Sequence, residues 1–246
     1  MFNYKMIVSY DGTDYNGWQK QGNTKNTIQG KMEHVLRMIT NEDVEINGAG
    51  RTDAGVHALG QTANFKLKKE WNTEKLKDRF NHNLPDDICI LSLERADDRF
   101  HSRLNAKSKI YVYRIQNSIS TDVFNIRYLY HMDKPLDLDK MREAASIFVG
   151  EHDFKSFCSN KHMKKSTVRI INSIDIVESD DKKIEIIFNG NGFLYNMVRI
   201  MTGTLIEVGT GKREVSEMAE ILKKRDRQAA GATAPACGLR LEKIFY

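Results

Sequence analysis

Apolar and polar residues alternate over Asn3–Ser9 ("NYKMIVS"), the period-two pattern of a half-buried strand. The period then changes. Ile28, Met32, Leu36 and Ile39 recur at helical spacing and predict a helix over Thr27–Thr40. Strands fit Val44–Gly48 and Gln61–Leu67, a helix fits Glu74–Asn83, and "DICILSLERA" supplies one more strand. The order is β-α-β-β-α-β, that of a split βαβ or ferredoxin-like unit.

The second half repeats that order. "KSKIYVYRIQN" reads as a strand, and "LDLDKMREAASIFVG" as a helix that starts near Asp137 and is closed by Gly150. "TVRIINSIDIVES" and "KKIEIIFNG" predict a hairpin about Asp180-Asp181. "GFLYNMVRIMTGTLIEVG" is mostly helix, "EVSEMAEILKKR" an added helix, and "GLRLEKIFY" a closing strand. Only the order of elements repeats, not the residues. The expected fold is α+β, built from two tandem halves, residues 1–105 and 106–246. Three prolines and no Gly/Ser-rich linker mean that the halves pack together rather than hang on a tether.

The halves differ in one connection. In the second, a tight acidic turn joins the middle strands; in the first, the join is the loop Ala49–Gly60 within "NGAGRTDAGVHALGQ". A hairpin needs two to five connecting residues, and a longer loop usually carries function. Its glycines, Gly48, Gly50, Gly55 and Gly60, permit positive φ or close approach to a ligand. Asp53 stands in the middle with Arg51 two residues before it, so the carboxylate stays ionised. An ionised loop aspartate can be a nucleophile, a metal ligand or a structural cap. A metal is disfavoured by the single carboxylate, and His57 at i+4 reads as a loop-packing residue.

Composition narrows the classes. The 246 residues carry a net charge of +5, and two stretches concentrate it. Arg99–Lys109 ("RFHSRLNAKSK") and Lys161–Arg169 ("KHMKKSTVR") each hold four Lys/Arg and no acid. Such runs are solvated faces or contacts to a polyanion, since each phosphate contact releases condensed counterions. No apolar run approaches a membrane span or a signal peptide, so a cytoplasmic protein is expected. Cys89, Cys158 and Cys237 have no metal-ligand spacing and read as structural thiols. "VGTGKR" is not a phosphate loop, and neither HExxH nor GxSxG occurs.

"GAGRTDAGVHALGQ" resembles the signature of TruA-type tRNA pseudouridine synthases. "YDGTDYNGWQKQ", "NLPDDI", "RFHSRLNAKSKIYVYRI", "GEHDFKSFC", "GFLYNMVRIMTGTLIEVG" and "APACGLRLEKIFY" also resemble that family, in family order and over nearly the whole chain. The resemblance implies two ferredoxin-like halves in one continuous, mostly antiparallel sheet with a central active cleft. It implies a homodimer acting on tRNA without a cofactor or a metal, on uridines 38 to 40 of the anticodon stem-loop. By resemblance Asp53 is the nucleophile, with uracil C6 and ribose C1′ both open to its attack. Tyr111 stacks on the target uracil, and Arg199 pairs with the catalytic carboxylate.

The residues themselves bear on these roles unequally. Tyr111 and Tyr113 share one strand face, suited to stacking a base or packing a helix; Tyr113 reads as core. Arg199 lies in an apolar helical stretch and needs a partner to offset its desolvation. Arg51 holds the loop or meets RNA phosphate, and Arg103 and His57 complete the expected substrate-binding set. A silent tRNA-binding or folding protein, or a paralogue acting on other tRNA or ribosomal RNA uridines, are the alternatives. "SNKHMKK" (Ser159–Lys165) falls in an expected RNA-contacting insertion.

Overall fold

The alternation in the first strand holds from Tyr4 onward, while Asn3, expected on the polar face, is buried. β1 (Phe2–Tyr10) buries Tyr4, Met6, Val8 and Tyr10 and leaves Lys5, Ile7 and Ser9 half-buried on its other face. The computed structural model describes residues 1–160, 163–179 and 181–246. By internal contacts it has two units, Met1–Lys107 with Leu241–Tyr246, and Ser108–Arg240.

In the first unit α1 (Ile28–Thr40) begins where the Thr27 hydroxyl accepts the Gly30 N–H at 3.2 Å, and stops at Asn41, whose φ of 58° is left-handed. It buries Ile28, Met32, Val35 and Leu36. β2 (Asn47–Gly48), β3 (His57–Leu67), α2 (Thr73–Asn83) and β4 (Ile88–Arg95) follow. The strand order is β4-β1-β3 with β2 on β3, every pair antiparallel, as a split βαβ unit requires. The Phe65 ring links sheet to helix, 5.4 Å from Tyr4 and 6.2 Å from Phe80 of α2. Burying each such ring contributes roughly 1.5–3 kcal/mol. A register shift opposite Ile7 and Val8 passes over Leu91, so β4 buries Ile88, Ile90 and then Leu93 instead of alternating strictly.

In the second unit β5 (Ser108–Asn117), β6 (Tyr130–Met132), α3 (Leu138–Ser146), β7 (Gly150–Asp153), β8 (Val168–Glu178) and β9 (Lys183–Gly190) precede α4 (Met197–Gly209), α5 (Glu217–Lys224) and β10 (Leu239–Phe245). The order is β5-β9-β8-β7, antiparallel throughout, with β6 parallel to β5. α4 is apolar almost all round and correspondingly buried. The final residues of β10 belong to the first unit, in which β10 neighbours β3. The fold is thus mixed α+β with a large, mostly antiparallel sheet. Among the described residues no helix is long and apolar enough to cross a membrane.

Several element boundaries differ from the sequence expectation, each for a local reason. The strand expected over Val44–Gly48 shrinks to Asn47–Gly48, because α1 side chains take the backbone of Ile46. Glu33 accepts its N–H at 3.1 Å and Gln29 donates to its carbonyl at 3.1 Å. β3 starts at His57 rather than Gln61, so the long loop is Ala49–Val56. α3 does not run to Gly150. Residues 147–149 close it with tight i→i−3 bonds, and Gly150, at φ +107°, bends the chain into β7. β6 and β7 themselves were not foreseen. Gly192–Asn196 stay non-helical, and α4 begins only after Asn196 at φ 62°. Asp180 of the expected hairpin turn, and Lys161 and His162 of the second basic run, lie outside the described residues.

Candidate active site

The first half of the loop Ala49–Val56 is pinned by buried polar side chains. Gln61, wholly buried in β3, clasps Gly50 by donating to its carbonyl at 2.7 Å and accepting its N–H at 3.3 Å. Thr52 is also buried; its hydroxyl lies 2.8 Å from the Tyr10 hydroxyl, and its carbonyl accepts the Trp18 N–H at 3.1 Å. Burial pushes the Tyr10 phenol well above its usual pKa, so it stays neutral. Asp53 then sits at the crest of a turn closed by the Val56 N–H on its own carbonyl, 3.1 Å away, and is half-buried.

What presses on this crest is the segment Tyr10–Gln21. A Cβ on Gly17, at φ +87°, would fall 2.6 Å from the Thr52 carbonyl oxygen and 3.1 Å from the Asp53 carbonyl carbon. A Cβ on Gly12 would collide with the Val56 carbonyl, and one on Gly48 would lie 2.5 Å from the Trp18 indole. Trp18, 1% exposed, fills the space beneath with Tyr10, their ring centroids 6.0 Å apart. The segment is tied down in turn: Gly17 and Trp18 carbonyls accept the Ile28 and Gln29 N–H groups at the start of α1. Tyr15 donates to Asp87 of "NLPDDI" at 2.6 Å, and burial together with that carboxylate raises its phenol pKa. Segments around positions 10–21, 61 and 87 thus converge to fix, directly or through Tyr15, the backbone that carries Asp53. The result is backbone placement with little freedom, which suits a nucleophile better than a mobile surface acid.

These contacts predict the outcome of Gly17→Ala. The new methyl meets backbone on one side and an unfavourable φ on the other, a cost of about 1–3 kcal/mol. We expect a lower urea midpoint and a larger fall in turnover than the lost stability accounts for, read by denaturation and single-turnover assays on the same preparation. An unchanged rate would show that the loop tolerates displacement of Asp53.

His57 is 5% exposed and faces Asp11 and Gly12. Its Nδ1 lies 3.1 Å from the Gly12 N–H and 3.0 Å from an Asp11 carboxylate oxygen. One ring nitrogen cannot accept from the amide and donate to the carboxylate together. The amide bond belongs to the neutral ring protonated at Nε2, the carboxylate contact to a ring protonated at Nδ1. Arg51 is exposed. So is Arg103, on a loop whose neighbour Ser102 is buried and donates to the Asn47 carbonyl at 2.5 Å. Arg103 and Arg51 are thus both exposed on the first unit.

Tyr111 and Arg199 belong to the second unit. Tyr111, on β5 opposite Phe188, is 7% exposed and packs edge-on against Phe193 at 5.2 Å. Tyr113 is core: wholly buried, with its hydroxyl donating to the Pro235 carbonyl at 2.9 Å. Arg199 is half-buried in the first turn of α4. Its Nε donates to the Ala234 carbonyl at 2.8 Å and its Nη1 to Asn196 Oδ1 at 3.1 Å. Two neutral oxygens thus meet part of the desolvation that a half-buried guanidinium requires.

Gly12, Gly17, Trp18, Thr52, Gln61 and Asp87 were not singled out from the sequence. Their contacts cross gaps of up to about seventy positions, which no periodicity reports, although the two glycines of "YDGTDYNGWQKQ" were a visible signal.

A family model described as tRNA pseudouridine synthase matches residues 6–105 and 144–246. Over all 246 residues, and the full length of the other protein, the chain is 49% identical to tRNA pseudouridine synthase A of Bacillus sp. (strain KSM-64). It is 44% identical to tRNA pseudouridine synthase A 2 of Bacillus cereus (strain ZK / E33L), again over the whole of both chains. With tRNA pseudouridine synthase A of Brevibacillus brevis the identity is 45% over 242 residues, 98% of each chain. Among solved structures, a chain of a Cbf5-Nop10-Gar1 complex overlaps 97% of this chain and 49% of its own at a TM-score of 0.39 and 13% identity. The end-to-end identity and the family match over both halves decide the matter: the chain belongs to the tRNA pseudouridine synthase family, isomerases that act on tRNA.

Proposed function

We propose that this protein isomerises uridines 38 to 40 in the anticodon stem-loop of tRNA, with Asp53 as nucleophile. The observation that carries the reading is the setting of Asp53, half-buried at the crest of a turn that Thr52, Gln61 and the glycines at 12 and 17 hold from below. The reaction breaks the N1–C1′ bond of uridine and makes a C5–C1′ bond. N1 gains a proton and the C5 hydrogen leaves to solvent, so no redox partner or group donor is needed. The uridine leaves its stack at a cost of a few kcal/mol. Tyr111 offsets part of that with stacking worth roughly 1–3 kcal/mol.

In this reading Arg199 pairs with the Asp53 carboxylate in the assembled site and orients it. Arg51 and Arg103, both exposed, contact phosphates of the stem. His57 bears on the substrate through the loop it holds against Asp11 and Gly12. The protein works as a homodimer in the cytoplasm, one half of each chain, residues 1–105, carrying the Asp53 loop and residues 106–246 completing the cleft. Tritium release from tRNA labelled at uridine C5 tests the activity, and pseudouridine maps of RNA from cells with and without the gene test the positions. Release from ribosomal RNA alone, or tRNA binding without release, would each refute the reading.

The basic segments make a separate expectation. Arg103, Lys107, Lys164 and Lys165 are exposed. Neutralising them in pairs should weaken tRNA binding and lower the slope of log K against log salt by roughly 0.7–0.9 per lost phosphate contact. The rate at saturating tRNA should hold, because phosphate contacts position the RNA without touching the uracil. A filter-binding series across salt concentrations reads the slope; if it stays put, these runs are solvated faces.

A further inference from the structure

The turn that precedes α4 presents an aromatic ring that the chemistry assigned so far does not use. Tyr195 is 57% exposed, while Leu194 before it and Met197 two residues after it are buried. Among the described residues its ring meets no other aromatic ring and its hydroxyl makes no hydrogen bond. Its backbone is nonetheless held firmly. The Tyr195 carbonyl accepts the Ser159 N–H at 3.1 Å, and Asn196, locked at φ 62°, donates from its amide to the Ser159 hydroxyl at 3.1 Å. A large amphipathic ring fixed at its base and open at its face loses little conformational entropy on binding.

Its surroundings on the same unit point to nucleic acid. Two residues before it, Phe193 packs edge-on against Tyr111, so Tyr195 leaves the chain within about 7 Å of Phe193. On the same unit the Arg169 side chain passes 3.7 Å from the Cβ position of Gly192, three residues before Tyr195. An open aromatic ring two residues from the Phe193–Tyr111 pair, with an arginine side chain at Gly192, has the components of single-strand binding grooves. In those, bases lie on aromatic faces while cations follow the backbone.

We propose that Tyr195 is a second stacking platform, taking the base of a nucleotide next to the uridine held at Tyr111. This rests on the tRNA-isomerase reading. The reacting uridine must leave its stack, which strips its neighbour of one stacking partner. Tyr195 would replace that lost partner, so its effect falls on RNA affinity and on the population of the extruded state, with no role in bond making.

The test compares wild-type protein with Tyr195→Phe and Tyr195→Ala, using unmodified tRNA in filter binding and single-turnover tritium release. The ring is exposed, so both variants should keep the wild-type urea midpoint. Tyr195→Ala should weaken tRNA binding by about tenfold, the effect of one stacked base, while the salt slope stays unchanged because no phosphate contact is lost. Tyr195→Phe should match wild type. Equal affinity for the alanine variant, a reduced salt slope, or a loss shared by phenylalanine would overturn the proposal. So would a changed oligomeric state with intact tRNA affinity, which would make the ring a contact between copies. If wild-type protein released no tritium from tRNA, the functional reading itself would fall; activity in wild type with no effect at Tyr195 sinks only the platform.

Discussion

Replacing Asp53 by asparagine should abolish turnover and leave tRNA binding within a few-fold of wild type. The amide keeps the shape of the carboxylate and can stay in the turn closed by Val56, but it supplies no anionic oxygen to attack the uridine. Loss of a covalent nucleophile lowers the rate by about four orders of magnitude or more. The backbone around position 53 is held by the Thr52 hydroxyl, the Gln61 clasp and the close approach of Gly17, all of which the asparagine variant keeps. A folding defect is therefore not expected, and thermal midpoints should coincide. Tritium release beside a binding titration reads both quantities, and an asparagine variant with near wild-type release would remove Asp53 from the chemistry.

Arg199→Lys should be nearly as damaging although it keeps the charge. The guanidinium holds the Ala234 carbonyl through Nε and Asn196 through Nη1. An ammonium on a flexible stem cannot hold both and also offer a planar fork to a carboxylate. The loss of one oriented donor to developing charge costs about a hundred- to a thousandfold in rate. We expect a fall of that size in the single-turnover rate, with tRNA affinity changed far less. The double variant with Asp53→Asn should be no worse than Asp53→Asn alone, because an arginine that acts through the carboxylate has nothing left to orient. A lysine variant that reacts at the wild-type rate would reduce Arg199 to a strut between α4 and Ala234.

The legible parts of this protein were those written in short-range chemistry. Period-two alternation located β1 and helical spacing located α1, since burial on one face imposes those periods directly. Asp137 marked the start of α3 because a side-chain oxygen can cap only N–H groups one turn ahead; it accepts the Lys140 N–H at 3.0 Å. Where a residue's backbone is claimed by a distant side chain, local pattern failed. Ile46 looked like strand, but Gln29 and Glu33 of α1 take its hydrogen bonds. Leu91 looked like one more step in an alternation, and a bulge against β1 stepped over it.

The candidate site divides the same way. Its candidate groups were visible at once: a lone aspartate two residues after an arginine among glycines, basic runs without acids, an arginine in an apolar helix. Sequence by itself determined which groups this protein possesses and that one loop is longer than a turn needs. Tertiary structure alone decided why that loop holds still. Gly12 and Gly17 are required because the backbone of Thr52–Val56 passes too close for a methyl group, and Trp18 is buried because Gly48 leaves room for its indole. Such requirements come from excluded volume between segments that meet only after folding, and excluded volume leaves no period in the chain.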